Sequence, residues 1–193
     1  MRRTPRVAAL VAAAVLLLAP VARAGQSGKS GTLSQPFRPS YVTFSAGSYI
    51  PDGSDLDENN AENGLVGLLN SGYMIDPFTG LQLDLGYFET SGENGLKVSA
   101  FPIALSLKLA LPISAVEPYV LGGAGLYVTS AELEAPGLSV DDTGTNFAPH
   151  AAGGINLTFG SLHFGVEARY IWLDAAGLDA DGWLIMGKIG TRY

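Results

Sequence analysis

The sequence contains no cysteine. Disulfide bonds, thiolate catalysis, cysteine-ligated zinc sites and a lipid anchor on a cysteine are therefore excluded. Beyond the first 24 residues, Gly, Pro or a charged residue interrupts every apolar stretch before it reaches the length of about 20 residues that a transmembrane helix needs. If the protein spans a membrane, it must therefore do so with strands.

Basic residues are few, and four of the eleven lie in the first 24 positions. Arg2, Arg3 and Arg6 precede the apolar run 7–20, and small residues at Ala22 and Ala24 come just before Gly25. This pattern is typical of a removable export signal, so we predict a signal peptide over residues 1–24. The remaining chain has seven Lys and Arg against 18 Asp and Glu, a net charge of −11, which argues against a nucleic-acid partner.

Past residue 40 the chain consists of short segments rich in β-branched, aromatic and leucine residues, separated by Gly, Pro, Asp, Asn and Ser clusters. Eight segments have about the 9 to 11 residues of a tilted membrane-spanning strand. They are residues 41–50, 65–75, 81–90, 98–110, 119–131, 147–158, 162–173 and 183–193. The polar stretch 25–40 is expected to be a flexible periplasmic lead-in, and residues 41–193 a single domain.

Alternation is clearest in the third, fourth, seventh and eighth segments. Leu105 and Leu107 share one face of the fourth with Phe101, Ile103 and Leu109, while Ser106 and Lys108 share the other. A soluble barrel would turn its bulky face inward. Here the opposite face holds mostly Gly, Ala and Ser with isolated charges, too few for a solvated exterior, so we expect the bulky face to contact lipid.

The predicted connections differ in length and charge. Those at 51–64, 91–97, 132–146 and 174–182 tend to be longer than those at 76–80, 111–118 and 159–161, as expected for outward loops and periplasmic turns. The outward connections and Glu89 at their edge carry 14 of the 18 acidic residues. We therefore expect an anionic outer rim, and a further hypothesis is that divalent ions bridge it to lipopolysaccharide phosphates.

Three stretches resemble small outer-membrane β-barrels of the OmpW-like and opacity-protein-like kind. They are PYVLGGAGLY at 118–127, GVEARY at 165–170, and the last strand with Trp183, Ile185, Gly187 and Ile189 on one face before Tyr193. The resemblance implies an all-β, eight-stranded antiparallel up-and-down transmembrane barrel in the outer membrane of a Gram-negative cell. It also implies contacts with outer-membrane lipids and lipopolysaccharide, and recognition of Tyr193 by the barrel assembly machinery.

The inward faces carry the charged residues Asp84, Lys108, Glu167, Arg169 and Lys188. Because an eight-stranded barrel is narrow, we expect these charges to pair across the lumen. They could form a static plug, which we favour, or line a gate for small solutes.

Other motifs have weaker functional interpretations. We expect His150, near the outer rim, and His163, beside a periplasmic turn, to be isolated and too far apart to share a metal.

Ser161 and His163 reverse the order found in lipid A deacylases, and no third catalytic residue is evident. Gly122, Gly123 and Gly125 lie within a strand and do not predict a nucleotide loop. Asp52, Asp55, Asp57 and Glu58 do not have the spacing of an EF-hand, so a solvated loop is favoured over a Ca²⁺ site.

The sequence thus predicts a barrel without enzymatic activity, cofactor or metal, with a structural or narrow passive-channel role. The alternative is a surface adhesion or interaction protein acting through residues 51–64 and 132–146. The sequence does not indicate a transported solute or an oligomeric state.

Overall fold

The structure is a computed structural model and describes residues 37–52, 63–91, 96–135, 138–175 and 178–193. The predicted signal peptide, the lead-in up to residue 36, and Asp55, Asp57, Glu58, Glu62 and Glu93 lie outside the described residues. In the part that is described, no helix is long and apolar enough to cross a membrane.

Ten strands follow one another along the described chain. They are β1 (Ser40–Pro51), β2 (Gly64–Met74), β3 (Thr79–Ser91), β4 (Leu96–Ala110), β5 (Val116–Ala135), β6 (Leu138–Phe159), β7 (Leu162–Ile171), β8 (Asp174–Ala175), β9 (Leu178–Asp179) and β10 (Gly182–Arg192). Eight of them close into an antiparallel barrel in the order β1-β10-β7-β6-β5-β4-β3-β2, while β8 and β9 form a separate short hairpin. The predicted all-β, eight-stranded up-and-down fold is confirmed.

The strand registers define the shear of the barrel. From Phe44, the partners through β10 and β7 lead to Leu157 on β6. In the other direction, the partners through β2, β3, β4 and β5 lead to Phe147 on the same strand. The offset is ten residues, so the strands are strongly tilted and the interior is wide enough only for side chains.

The barrel has two unlike ends. The turn end holds the start of β1, the end of β10 and the connections at 75–78, 111–115 and 160–161. Asp76 Oδ1 accepts backbone hydrogen bonds from Phe78 (2.7 Å) and Thr79 (2.8 Å), and Gly160 adopts φ 66° in the tightest turn. Such local chemistry permits short connections. The opposite, loop end holds the connections at 52–63, 92–95, 136–137 and 172–181.

Six of the eight predicted strands agree with the structure to within two residues at each end, but β5 and β6 are longer than predicted. The predicted outward loop at 132–146 is wrong, because the β5–β6 ladder continues from Val116↔Leu157 to Ala135↔Leu138. Residues 116–118 likewise belong to β5 rather than to the preceding connection. Polar composition favoured a loop, but the ladder with β5 continues through Asp141, Asp142, Gly144 and Asn146, because tertiary pairing can override the turn preference of single residues.

The outer surface of the barrel is apolar and bulky, as predicted. Leu105 is 57% exposed and Val166 is 62% exposed, whereas Ser106 and Glu167 beside them in sequence are buried. Exposed aromatic residues occur near both ends of this surface: Tyr87, Trp172 and Trp183 toward the loop end, and Tyr73, Phe78, Phe159 and Tyr193 toward the turn end. An apolar band between two aromatic girdles is the surface of a barrel embedded in lipid.

Candidate functional site in the barrel lumen

The lumen has an apolar half toward the loop end and a polar half toward the turn end. The apolar half, here the apolar layer, is one cluster of buried residues: Tyr49, Val66, Leu68, Phe88, Val98, Ala100, Tyr127, Ala148, Ile171, Leu173, Ala180, Leu184 and Met186. The rings of Tyr49 and Phe88 lie 4.9 Å apart, and those of Phe88 and Tyr127 lie 6.4 Å apart. These side chains fill the lumen where the strands leave the lipid band.

The apolar layer corrects one part of the sequence interpretation. The inward faces were expected to hold mostly Gly, Ala and Ser with isolated charges, yet Tyr49, Leu68, Phe88, Tyr127 and Leu184 all point inward and are buried. Alternation in a strand assigns side chains to two faces, but in a barrel both faces can be apolar when the lumen is dry. The faces of β1, β2 and β5, which are rich in Gly or in apolar residues, could not be assigned from the pattern alone.

In the polar half, Arg169 on β7 is the centre of a buried charged network. Its Nη1 donates to Asp84 Oδ2 at 2.8 Å, and its Nε and Nη2 donate to Glu167 Oε1 at 3.0 and 2.8 Å. Lys188 Nζ donates to Glu167 Oε2 at 2.5 Å. These four residues, the central network, join two cations and two carboxylates, so the charges balance inside the barrel.

Neutral polar groups complete the central network. Asp84 Oδ1 accepts from Asn70 Nδ2 and Gln82 Nε2, each at 2.7 Å, and Asn70 Oδ1 accepts from Ser45 Oγ. On the other side, the Tyr119 hydroxyl donates to Glu167 Oε2 at 2.7 Å. Charges taken out of water need such additional hydrogen bonds, because ion pairing alone rarely offsets their desolvation.

A second group, the turn-end cluster, consists of Lys108, Glu117 and Arg192. Glu117 Oε1 accepts from Lys108 Nζ at 3.0 Å and from Arg192 Nη2 at 2.6 Å. Asn156 Nδ2 donates to the same oxygen at 3.1 Å. The carboxylate partner of Lys108 is therefore Glu117 rather than one of the predicted lumen residues.

Sequence reasoning missed Glu117 and Arg192. The sequence analysis placed Glu117 in a connection. However, Leu121 and Tyr119 face inward on β5, and Glu117 is the next alternate residue toward the start of that strand, so it also faces inward. That extension of the alternation could have found it. Arg192 is the penultimate residue and its side chain is partly exposed at the mouth, so the pattern alone gave no indication of its partner.

Aromatic rings connect the two charged groups. The Lys108 ammonium lies 5.0 Å from the ring centre of Tyr41 and 4.3 Å from that of Tyr119, while Lys188 lies 5.1 Å from the Tyr119 ring on another side. Cations over aromatic faces are stabilised electrostatically, more so where water is excluded. The Tyr41 hydroxyl donates in turn to Gln82 Oε1 at 2.9 Å.

The two histidines are buried and hydrogen-bonded, which corrects the expectation that they are isolated. His150 Nε2 lies 2.7 Å from Ser106 Oγ, and His163 Nε2 lies 2.7 Å from Thr43 Oγ1. His150 is 2% exposed inside the barrel, at the outermost β6–β7 pair. Ser106 and His150 are both paired in register with Gly123 of β5, which has no side chain, so the two polar groups meet across this glycine.

The connection after β7 closes the lumen at the loop end. Leu173 and Ala180 belong to the apolar layer, and the Ala180 backbone N–H donates to Leu173 O at 2.8 Å. Tyr49 donates its hydroxyl to Ala180 O at 2.8 Å, and Asp181 Oδ1 accepts from the Leu173 N–H at 2.7 Å. The chain thus folds inward over the mouth, where β8 lies against β5 and β6.

The remaining candidate residues are not brought together into a catalytic, nucleotide-binding or metal-binding site in the part of the chain that the structure describes. Ser161 is in the turn before β7, whereas His163 is bonded to Thr43, so the structure does not bring the two together as a dyad. Gly122 and Gly123 lie within β5, paired to β4 and β6. Within the described residues, no group of three His, Cys, Asp or Glu side chains is arranged to hold a metal. Of the proposed Ca²⁺ ligands, only Asp52 is described.

Both ends of the chain's described part are anchored at the turn end. The Tyr193 N–H donates to Ser40 O at 2.9 Å, and the Ser40 N–H donates to Tyr193 O at 3.1 Å. Arg38 Nη1 donates to Arg192 O at 3.1 Å, and Pro39 O accepts from the Met74 N–H. Residues 38–40, at the end of the predicted lead-in, therefore make specific contacts with the barrel.

Solved structures of bacterial barrels are similar to this chain in fold. OprG from Pseudomonas aeruginosa superimposes with a TM-score of 0.63 at 17% identity, covering 82% of this chain and 98% of that one. Neisserial surface protein A gives a TM-score of 0.62 at 15% identity, covering 80% and 97%. Ail, the attachment invasion locus protein of Yersinia pestis, gives 0.53 at 15% identity, covering 80% and 97%.

A comparison with curated protein sequences found no match. The family described as outer membrane protein beta-barrel domain matches residues 9–186, which is most of the chain. The closed eight-stranded barrel, its apolar outer band and its aromatic girdles agree with that match. The chain therefore belongs to the family of outer membrane protein β-barrel domains and is a protein of the cell outer membrane.

Proposed function

We propose that this barrel is a structural, non-conducting scaffold of the outer membrane that carries a projecting hairpin on its loop end. The observation that carries this proposal is the filled lumen. The central network joins opposite walls, the apolar layer lies above it, and the connection containing Leu173 and Ala180 lies over the mouth. A narrow passive channel needs a continuous wet path, and a packed apolar layer opposes one.

Single-channel recording in planar bilayers tests the proposal. We expect the purified wild-type barrel to give no discrete current steps. A variant that empties part of the apolar layer, Tyr49→Ala with Phe88→Ala and Tyr127→Ala, removes three neighbouring rings and should give measurable steps. The matched control replaces three lipid-facing residues, Leu105, Leu107 and Leu109, by Ala and should stay silent. Current steps in the wild type would establish the passive-channel role and overturn the structural one.

A second candidate, surface interaction, is favoured by the shape of the β5–β6 hairpin. The last β6–β7 pair is His150↔Ile171, but β6 continues outward for a further 12 residues, paired to β5. Ala148 still packs in the apolar layer, but outward of it β6 is paired only to β5 among the described strands. Replacing residues 134–139 by Asn-Gly should abolish binding of whole cells to a surface partner while heat-modifiable gel migration stays unchanged.

We also infer that the protein acts without catalysis. The two histidines that could serve as general bases are buried, and each is bonded to a hydroxyl in the lumen wall. Neither has a carboxylate among its hydrogen-bond partners in the part of the chain that is described. The absence of esterase and phospholipase activity in the purified barrel, measured in lipid, would support this inference.

The partners we propose follow from the surfaces. The apolar band supports contact with outer-membrane lipids and lipopolysaccharide, and Tyr193 at the end of β10 supports recognition by the barrel assembly machinery. The net charge of −11 after removal of the predicted signal peptide disfavours nucleic acid.

A further inference from the structure

We propose that the outer edge of β6 binds an extended, basic polypeptide segment by adding it as a strand to the sheet. The inference rests on the surface-interaction candidate and names the chemistry of its partner. Its basis is an edge of backbone groups with which no described strand pairs, combined with the charge of the hairpin that presents it.

The edge begins where β7 ends. The Trp172 N–H donates to Pro149 O at 3.1 Å, and the chain then turns inward at Leu173, which is buried in the apolar layer. From Leu138 to Ala148, β6 therefore pairs with β5 on one side, and no described strand pairs with its other side. An uncovered edge offers unpaired N–H and C=O groups to a further strand.

The hydrogen-bond pattern identifies which residues offer those groups. In an antiparallel strand, alternate residues direct their backbone groups to the same side. Pro149 directs its carbonyl toward β7, whereas the Thr158 N–H donates to Ala115 O on the opposite side. Odd-numbered residues of β6 therefore face away from β5, and the edge is formed by Ser139, Asp141, Thr143, Thr145 and Phe147.

The described side chains of the edge leave it accessible. Thr143 and Thr145 are exposed, and Phe147 is 70% exposed. Pro149 lacks an N–H and stands where β7 pairing stops, as prolines often do where a ladder ends. An added strand would thus lie outward of Pro149, beyond the level where β7 and β10 cover the sheet.

The acidic residues of the β5–β6 hairpin indicate which kind of strand can pair with this edge. Residues 131–146 contain Glu132, Glu134, Asp141 and Asp142 and no Lys or Arg. The register pairs Glu132 with Lys97 of β4 on one side and with Asp141 of β6 on the other, so the acidic side of the hairpin is the β6 side. A basic strand beside β6 would bring cations next to Asp141, whereas a second copy of the same hairpin would add four more carboxylates. A basic segment is therefore favoured over self-association.

Binding of this kind has a residue-by-residue signature in amide hydrogen exchange. The probe is a synthetic peptide of alternating Lys and Thr, about ten residues long, added to the full barrel in phosphatidylcholine nanodiscs with EDTA present. We expect exchange to slow by about tenfold or more at Thr143, Thr145 and Phe147, because their N–H groups gain partners. Gly144 and Asn146, which already face β5, should not change.

Control peptides and variants separate strand addition from other binding. A peptide N-methylated at every residue, which has no N–H on either edge, and a peptide of alternating Glu and Thr should not bind. Thr145→Pro removes one edge N–H and should weaken binding by about tenfold, whereas Thr145→Ala should not. Asp141→Asn with Asp142→Asn should weaken binding and reduce its salt dependence.

Several outcomes would overturn the inference. Equal binding of the N-methylated peptide, or equal protection of odd and even residues, would exclude strand addition. Equal binding of the acidic peptide would exclude the basic partner. The same protection on adding Mg²⁺ alone, or on concentrating the barrel without peptide, would assign the edge to a cation or to a second copy. If hairpin replacement abolishes cell binding but the peptide pattern fails, the surface role survives without this edge mechanism.

Discussion

Arg169 on β7 reaches across the lumen to Asp84 on β3, which lies four strands away in either direction around the barrel. The guanidinium also holds Glu167 on its own strand, so one side chain connects opposite walls. Both partners and Arg169 itself are almost completely buried. The barrel cross-section at this level is thus fixed by one cation between two carboxylates.

Replacing that cation tests how much the cross-link contributes. Arg169→Met retains the length of the side chain but leaves Asp84 and Glu167 buried with too few cations. We expect the free energy of unfolding in detergent to fall by about 3 to 5 kcal/mol, the usual cost of breaking a buried pair from one side. Denaturant unfolding followed by tryptophan fluorescence measures it.

The control for Arg169→Met is an exposed ion pair. Lys97 lies 3.0 Å from Glu89 and is 46% exposed. Lys97→Met should cost no more than about 1 kcal/mol, because a solvated pair is screened. Equal losses in the two variants would show that the central network does not stabilise the barrel.

The sequence predicted Asp84, Lys108, Glu167, Arg169 and Lys188 as lumen residues because each stands at an alternate position opposite a bulky lipid-facing residue. Because side chains alternate between the two faces of a strand, the pattern predicts which face each residue occupies. The structure places these five charged residues inside the barrel. The alternation does not settle the partner, since pairing depends on the shear that brings β3 opposite β7. The pairing of Lys108 with Glu117 depends on the register between β4 and β5, which the alternation does not give.

The apolar layer shows a different limit of sequence reasoning. Leu184 and Leu105 are both leucines in alternating strands, yet one is 1% exposed inside and the other is 57% exposed outside. In a water-soluble protein, an apolar side chain such as leucine would be expected on the buried face, so its face could be assigned from hydrophobicity. In a membrane both environments are apolar, so hydrophobicity alone cannot distinguish the lipid side from a dry lumen.

That contrast leads to a paired prediction. Leu184→Ala opens a cavity in the apolar layer and should cost about 2 to 5 kcal/mol. Leu105→Ala should cost less than about 1 kcal/mol, because lipid or detergent chains fill the vacated space and no cavity remains. Unfolding midpoints in the same detergent compare the two. A larger loss for Leu105→Ala would reverse the inside and outside faces assigned here.

Two adjacent glycines in β6 give a test of packing around the central network. A Cβ at Gly154 would collide with the ring and hydroxyl of Tyr119, which donates to Glu167, and with the Val166 carbonyl oxygen. At Gly153 the nearest atom to an added Cβ is Tyr119 O at 3.8 Å, an ordinary contact. Gly154 is therefore required for the position of Tyr119, whereas Gly153 faces open space.

We expect Gly154→Ala to lower the free energy of unfolding by at least about 1 kcal/mol, because the Tyr119 ring must move away from Glu167 and Lys108. Gly153→Ala should change it by no more than about 0.5 kcal/mol. Unfolding midpoints of the two single variants are compared under one condition. Similar midpoints for both would show that the Tyr119 position tolerates displacement.

Substitutions at Tyr193 can distinguish its role in recognition during assembly from its role in the stability of the finished barrel. Its contribution to the closed seam is made by backbone atoms, through the two hydrogen bonds with Ser40, while its side chain is 46% exposed on the outer surface. Tyr193→Ala keeps both backbone bonds. Refolding of purified Tyr193→Ala in detergent should therefore match the wild type in heat-modifiable gel migration.

In cells the same substitution should lower the amount of folded barrel in the outer membrane severalfold, because the aromatic end of the last strand is the feature that we expect the assembly machinery to read. Tyr193→Phe retains the ring and should assemble normally. Tyr73→Ala removes another exposed aromatic residue of the same girdle, away from β10, and should also assemble normally. Equal loss for Tyr73→Ala and Tyr193→Ala would assign the effect to the girdle rather than to the end of β10, and a refolding defect in detergent would make Tyr193 a structural residue.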